Sequence, residues 1–298
     1  MAPAVDSSVG AAWPRFIEVE IGTYCNRRCA WCPNGRSDRG QRHEHISATL
    51  WRQLVNELGA LPYGGWLAVH NYNEPLADPY LDRRLVEARA AVPEAGLAIY
   101  TNGDLLTRDR LHELADLGVD ELRITLYPDN RNAFQPPSRA TITRYLAGLG
   151  FDPDACPPPQ LGRRGLELRF HHERLRLHLI VPDIGGYTDR AGKALPAVLG
   201  LAEPRRHPCH LPRIAAAIDH LGNVKMCCQI YDVTTPEQAK YVLGNLTVQT
   251  FEQIWRSPEA EALRERLAQA DFTGLEACQH CSHRLSPEQE LDVAATTG

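Results

Sequence analysis

TYCNRRCAWC, residues 23–32, places three of the chain's nine cysteines within eight positions. Cys25, Cys29 and Cys32 are spaced C-x3-C-x2-C. On a loop, intervals this short let three thiolates converge on one metal centre. A closed structural site takes four ligands, and iron–sulfur clusters ordinarily take four cysteines. Three thiolates therefore describe a centre with one position left open, as a catalytic metal site keeps one for substrate. Two plainer arrangements use the same residues: a structural zinc site completed by His43 or His45, and three buried thiols.

The flanking sequence places this loop. FIEVEIG (16–22) alternates as a strand does and runs straight into the cysteines. WLAVHNYNEP (66–75) begins as a strand, and further strands are expected at LAIYTNG (97–103), ELRITLYP (121–128), GLELRFHH (165–172) and RLHLIVPD (176–183). Helical spacing fills most of the intervals, as in ATLWRQLVNELGAL (48–61), PYLDRRLVEARAAV (79–92) and DRLHELADLG (109–118). Strands separated by helices of this length signal repeated βαβ units around a parallel sheet. The expected fold is α/β, a partial (β/α)6 barrel over residues 15–183, followed by a smaller cysteine-bearing domain over 184–298. In that second part, HPCHLPRIAAAIDHLGNVKMCC (207–228) reads as two short strands joined at Leu221-Gly222-Asn223.

The second part has its own constellation: Cys209, Cys227 and the compact C-x2-C pair Cys278 and Cys281. Four cysteines close a site, which fits a fully ligated auxiliary cluster, although C-x2-C pairs also serve zinc. Cys228 adjoins a ligand, and Cys227 is preferred because neighbouring side chains on an extended segment point oppositely. Cys156 stands apart, between a helix and the next strand.

Composition narrows the partners. The 298 residues carry a net charge of −5 without a long basic run, which disfavours nucleic acid. No stretch approaches a membrane span, and the N-terminus lacks the basic and apolar segments of a signal peptide. A reducing cytoplasm is expected, where clustered cysteines bind metal rather than form disulfides. About fifteen residues precede the first strand, which disfavours a dedicated leader-binding domain.

With Cys25, Cys29, Trp31 and Cys32 following the first strand, the chain resembles the radical SAM superfamily, whose hallmark is C-x3-C-x-aromatic-C. The resemblance implies a [4Fe-4S] cluster on the three cysteines, with S-adenosyl-L-methionine chelating the open iron. Reductive cleavage then yields methionine and a 5′-deoxyadenosyl radical, and an external reductant of the flavodoxin or ferredoxin type supplies the electron. It also implies that Trp31 lies near the adenine. YNEP (72–75) stands where family members commonly carry Gly-Gly-Glu, so Glu74, beside Asn73, maps to the residue that contacts the methionine amino group; the two glycines are absent. YTNG (100–103) resembles the segment bordering the cofactor and implicates Asn102. GNLTVQTFEQIWRSPEAEALRERL (244–267) resembles the linker of SPASM and twitch extensions, which implies a second [4Fe-4S] cluster on Cys209, Cys227, Cys278 and Cys281, in the shorter twitch arrangement.

Relatives of this length and type act on aminocyclitols and aminoglycoside precursors as dehydrogenases or epimerases. The resemblance implies a small polar, sugar-like substrate oxidised at a carbinol carbon to a ketone, with the auxiliary cluster taking an electron. Epimerisation would instead require a free cysteine as hydrogen donor, for which Cys228 and Cys156 are the candidates. Arg190, in a family-like TDRAG element (188–192), is expected to orient the hydroxyl. His70, Tyr72, Tyr127 and His171 are expected near strand C-termini. A peptide-modifying enzyme and a non-catalytic iron or zinc scaffold are the remaining alternatives.

Overall fold

The computed structural model describes residues 13–61, 63–128, 138–162, 164–183 and 203–285. Among the described residues ten strands form one sheet. In chain order they are β1 (Phe16–Val19), β2 (Trp66–Ala68), β3 (Gly96–Thr101), β4 (Glu121–Thr125), β5 (Gln160–Gly162), β6 (Gly165–His172), β7 (Leu175–Pro182), β8 (Ala215–Ile218), β9 (Asn223–Lys225) and β10 (Val242–Asn245). Their order across the sheet is β10-β9-β8-β1-β2-β3-β4-β7-β6-β5.

Alternation in β1 decides which face is which. Ile17, Val19 and Ile21 are fully buried in the main core, which leaves Glu18 and Glu20 for the other face. Helices α1 (Ala48–Ala60), α2 (Leu81–Ala91), α3 (Arg108–Asp116) and α4 (Arg139–Gly148) pack their buried residues into that core. α1 shows why: Ser47 caps it by accepting the Leu50 amide, and Leu50, Trp51, Leu54, Val55 and Leu58 form one buried stripe. Thr107 and Ser138 cap α3 and α4 in the same way.

Six consecutive strands, β8-β1-β2-β3-β4-β7, run parallel. The expected count of six parallel strands holds, but its membership differs. GLELRFHH does not run parallel to its neighbours: β6 pairs antiparallel with β7 over its whole length, from Gly165↔Pro182 to His172↔Leu175. Only Glu173 and Arg174 separate the two strands, far too few for a parallel crossover. The turn closes with Glu173 at φ 53°. Because β6 is reversed, His171 sits opposite Arg176 near the N-terminal end of β7, away from the strand C-termini where it was expected.

The sixth parallel place is taken by β8, in register with β1 from Phe16↔Ala215 to Val19↔Ile218. The expected turn at Leu221-Gly222-Asn223 follows. Gly222 adopts φ 84°, and the Asp219 carboxylate accepts the Leu221 and Asn223 amides. The cysteine-bearing second part is therefore tied into the sheet beside β1. The boundary expected at 183/184 adjoins residues outside those described. Among the described residues no helix is long and apolar enough to cross a membrane.

Candidate active site

The chain leaves the C-terminal end of β1 into the cysteine loop, above the ends of β2, β3 and β4. The loop is closed by its own backbone: the Cys32 amide donates to Cys29 O (3.0 Å), the Gly35 amide to Cys32 O (2.9 Å) and the Cys25 amide to Gly40 O (3.0 Å). A Cβ at residue 35 would lie 2.1 Å from Cys29 O, so only glycine fits this return. Arg27 clamps the loop to the next strand ends, with Nε 2.6 Å from Asp104 Oδ2 and Nη1 3.2 Å from Pro128 O. Trp31 is buried against Cys29, its ring 5.9 Å from that of Tyr127.

Asn102 meets this loop from the end of β3. Its Nδ2 donates to Asn26 Oδ1 (2.7 Å) and lies 3.9 Å from Cys25 Sγ. Burial pushes the Cys25 thiol up to about 12, and the nearby Glu74 carboxylate and the thiols of Cys32 and Cys29 add to this. Such a site holds its sulfur as thiolate only beside positive charge, which a bound metal supplies. Three thiols on one short loop are the donor set that such a centre takes.

Glu74 is nearly inaccessible and joins three pieces of chain. Its Oε1 accepts from Thr101 Oγ1 (2.6 Å) and the Leu76 amide (3.0 Å), its Oε2 accepts from the Asn102 amide (2.8 Å), and its own amide donates to Tyr24 O (2.9 Å). Burial pushes its carboxyl up to about 7, against the lowering effect of these donors. Beside it, Asn73 Oδ1 accepts the Asn71 amide, while Asn73 Nδ2 is shielded from solvent with no hydrogen-bond partner. Asn73 and Glu74 border a small cleft with Gly22, Tyr24, His45 and Asp78. Where glycine was missing from the family pattern, Tyr72 instead reaches Gln229 O through its hydroxyl (2.8 Å), binding the end of β2 to the second cysteine segment.

The sheet face turned away from α1–α4 is polar, and strand alternation places its members. Glu18 of β1, Tyr100 of β3, Glu121 and Arg123 of β4, and His178 of β7 share it with His70 beyond β2. The His70 and Tyr100 rings lie 4.2 Å apart, and the Arg123 guanidinium stands 3.9 Å over Tyr100. Arg176 pairs with Glu121 at 2.9 Å, and His178 Nε2 with Glu167 at 2.9 Å. Burial pushes the Tyr100 phenol up to about 12. Except for His70, the sequence reading passed over these residues. Their signal was present as polar residues at alternate positions of otherwise apolar strands.

Buried charge ties this face to the second cysteine segment. Arg39 grips Glu20 with both terminal nitrogens (2.9 and 2.5 Å), and both residues are almost wholly buried. Removing one partner of such a pair costs about 3–5 kcal/mol, because the other charge stays buried. Lys225, equally buried, donates to Asn71 Oδ1 (2.8 Å) and Ile230 O (3.0 Å), while Asn71 Nδ2 reaches Glu18 (2.8 Å) and Cys228 O (3.2 Å).

Cys209, Cys227, Cys278 and Cys281 line one small cavity, whose apolar wall includes Met226, Leu211 and Phe272. The structure thus gathers the four cysteines that the spacing grouped. Cys228 is outside that lining; its Sγ lies 3.6 Å from Gln229 Nε2, and it packs toward Leu211 and Ile214. Arg205, which the sequence reading did not single out, holds the walls together by donating to the carbonyls of His207, Pro208, Cys281 and His283. Only long-range geometry identifies it. Cys156 precedes the edge strand β5, which is separated from β4 by β6 and β7. Arg190 lies outside the described residues.

Comparison with known proteins agrees with this layout. The model of the radical SAM superfamily matches residues 19–145, and that of the SPASM iron–sulfur cluster-binding domain matches 209–282. The chain is 27% identical over 278 residues to S-adenosyl-L-methionine-dependent 2-deoxy-scyllo-inosamine dehydrogenase of Niallia circulans, covering 93% of this chain and 96% of the relative. A shorter match, 30% identical over 115 residues, is to PqqA peptide cyclase of Bradyrhizobium diazoefficiens; it covers 38% of this chain and 28% of that one. The fold is similar to the crystal structure of BtrN in complex with AdoMet and 2-DOIA, with a TM-score of 0.66 and 24% identity over 91% of this chain and 94% of that one. BtrN in an open conformation gives a TM-score of 0.60 at 22% identity, with the same coverage.

Proposed function

Because the chain belongs to the radical SAM superfamily and carries a SPASM iron–sulfur domain, we propose that it oxidises a carbinol carbon of a small aminocyclitol-like substrate to a ketone. It is a radical SAM enzyme that uses S-adenosyl-L-methionine and [4Fe-4S] clusters. When bound, these groups supply hydrogen-atom abstraction at one site and a one-electron acceptor at the other.

The protein's own residues do the positioning. Cys25, Cys29 and Cys32 hold the first cluster, and Cys209, Cys227, Cys278 and Cys281 hold the second. Trp31 and Tyr127 wall the first site on one side. Asn102 donates toward Cys25 Sγ, and Glu74 fixes Asn102 through its amide. Asn73 Nδ2 offers a buried donor at the cleft beside Glu74. The polar face carrying Glu18, His70, Tyr100, Glu121 and Arg123 supplies hydrogen-bond partners for a substrate rich in hydroxyl and amino groups. Its carboxylates suit a cationic amine and can take the hydroxyl proton.

The observation that favours oxidation over epimerisation is the place of the spare thiols. Among the described residues, Cys156 lies by the far edge of the sheet and Cys228 packs toward Leu211 and Ile214 beside the second cavity. These placements support a reading in which neither thiol serves as the hydrogen donor. The full-length relative of Niallia circulans, named as a dehydrogenase, supports the same reading. An external one-electron reductant of the flavodoxin or ferredoxin type completes the cycle. The test is turnover of 2-deoxy-scyllo-inosamine in deuterium oxide by reduced, cluster-loaded enzyme and by its Cys228→Ala and Cys156→Ala variants. A ketone from all three, without deuterium at an inverted carbon, is expected. A deuterated epimer that disappears in either variant would assign the chain to the epimerases.

A further inference from the structure

At the end of the sheet opposite the cysteine loop, three metal-ligating side chains meet that the chemistry above does not use. His112 projects from α3, and His172 and Glu173 come from the close of the β6–β7 hairpin. One ligating atom from each lies within 4.8 Å of the other two, and theirs is the only such group of three among the described residues. His112 Nδ1 is 3.5 Å from Glu173 Oε1, and the two imidazole centroids are 5.4 Å apart. His172 Nε2 is shielded from solvent without a hydrogen-bond partner, although an imidazole has two polar atoms to satisfy. The neighbouring cation is directed elsewhere: Arg174 Nη2 lies 3.8 Å from Asp120.

We propose that His112, His172 and Glu173 form a zinc site that clips the β6–β7 hairpin to α3. Two imidazoles and a carboxylate are a donor set suited to Zn2+, with solvent completing the coordination. Tetrahedral ligands around zinc stand roughly 3.3 Å apart, so the 3.5 Å pair already has that spacing, and His172 brings a ring nitrogen within 4.8 Å of both partners. An ordinary helix-to-hairpin ion pair would account for His112 and Glu173 alone. It leaves unexplained a second imidazole beside them with a shielded ring nitrogen. The side chains of His112 and Glu173 are 39% and 58% exposed, so the ion can enter from solvent. The location, on the far side from the cysteine loop, gives the site a structural task.

The experiment uses full-length, cluster-loaded protein under anaerobic conditions, equilibrated by dialysis against Zn2+ alone, with zinc and iron measured together. About one zinc per chain is expected at full iron content, with affinity at least tenfold weaker in Glu173→Gln and His172→Ala. His172 packs edge-on against Phe151, so its truncation can disturb the hairpin. His112→Gln, on the more exposed helix face, is the independent check and should weaken zinc equally. Zinc retained undiminished in these variants, zinc taken up only as iron is lost, or none held by the unaltered chain would overturn the proposal.

Discussion

His178 shows how a residue on the polar face is tuned. Burial lowers its pKa from the ordinary 6.5, and the hydrogen bond to Glu167 only partly opposes this, so it is neutral near pH 7 and donates Nε2–H. In turn, that bond holds the Glu167 carboxyl down to about 2. The unfolded chain takes up the histidine proton at higher pH than the folded one. The stability His178 contributes is therefore complete well above pH 6.5 and is lost progressively as pH falls below 6.5 through the lower midpoint of the folded state. Nuclear magnetic resonance of the ring nitrogens should give a midpoint below that of an exposed histidine, and Glu167→Gln should lower it further. A midpoint above 6.5 would mean an imidazolium–carboxylate pair instead. At this scale the cysteines were legible because their spacing is local. Glu74 was legible as a residue but not as a junction, since Tyr24, Leu76, Thr101 and Asn102 reach it from different segments. Arg205 and Lys225 carried no local signal at all.

Among the elements, periodicity located every strand from β1 to β4, as well as β6 and β7, but not the direction of β6. Alternation says that a segment is extended; direction depends on the length of the connection, and GLELRFHH and RLHLIVPD are too close for a crossover. Gly165 makes the outer end of that hairpin possible. It adopts φ 130°, and a Cβ there would lie 2.2 Å from Val181 O. Gly165→Ala should therefore destabilise the protein by about 2 kcal/mol or more, read as a lower denaturant midpoint with an unchanged slope. Gly64→Ala, where a Cβ meets nothing within 4 Å, is the control and should leave the midpoint nearly unmoved. Equal effects from the two would contradict the close approach. The β8–β9 turn was readable from its glycine, whereas the pairing of β8 with β1, some two hundred residues away in sequence, was not.

For the molecule as a whole, the sheet explains why two cysteine constellations so distant in sequence belong to one machine. β8 pairs directly with β1, the strand that leads into the first cysteine loop. Tyr72–Gln229, Asn71–Cys228 and Lys225–Asn71 then tie the second segment to the end of β2. The polar sheet face lies beneath that junction, where a substrate can meet one site for hydrogen removal and stand near another for electron removal. The most direct measurement is mass spectrometry of the 5′-deoxyadenosine formed by reduced enzyme carrying about eight irons per chain. The substrate is 2-deoxy-scyllo-inosamine bearing deuterium on each carbinol carbon in turn. One labelled position should deliver deuterium to 5′-deoxyadenosine and yield an equal amount of ketone. Ketone formed with no deuterium transferred from any position, or 5′-deoxyadenosine labelled without ketone appearing, would contradict oxidation at a carbinol carbon.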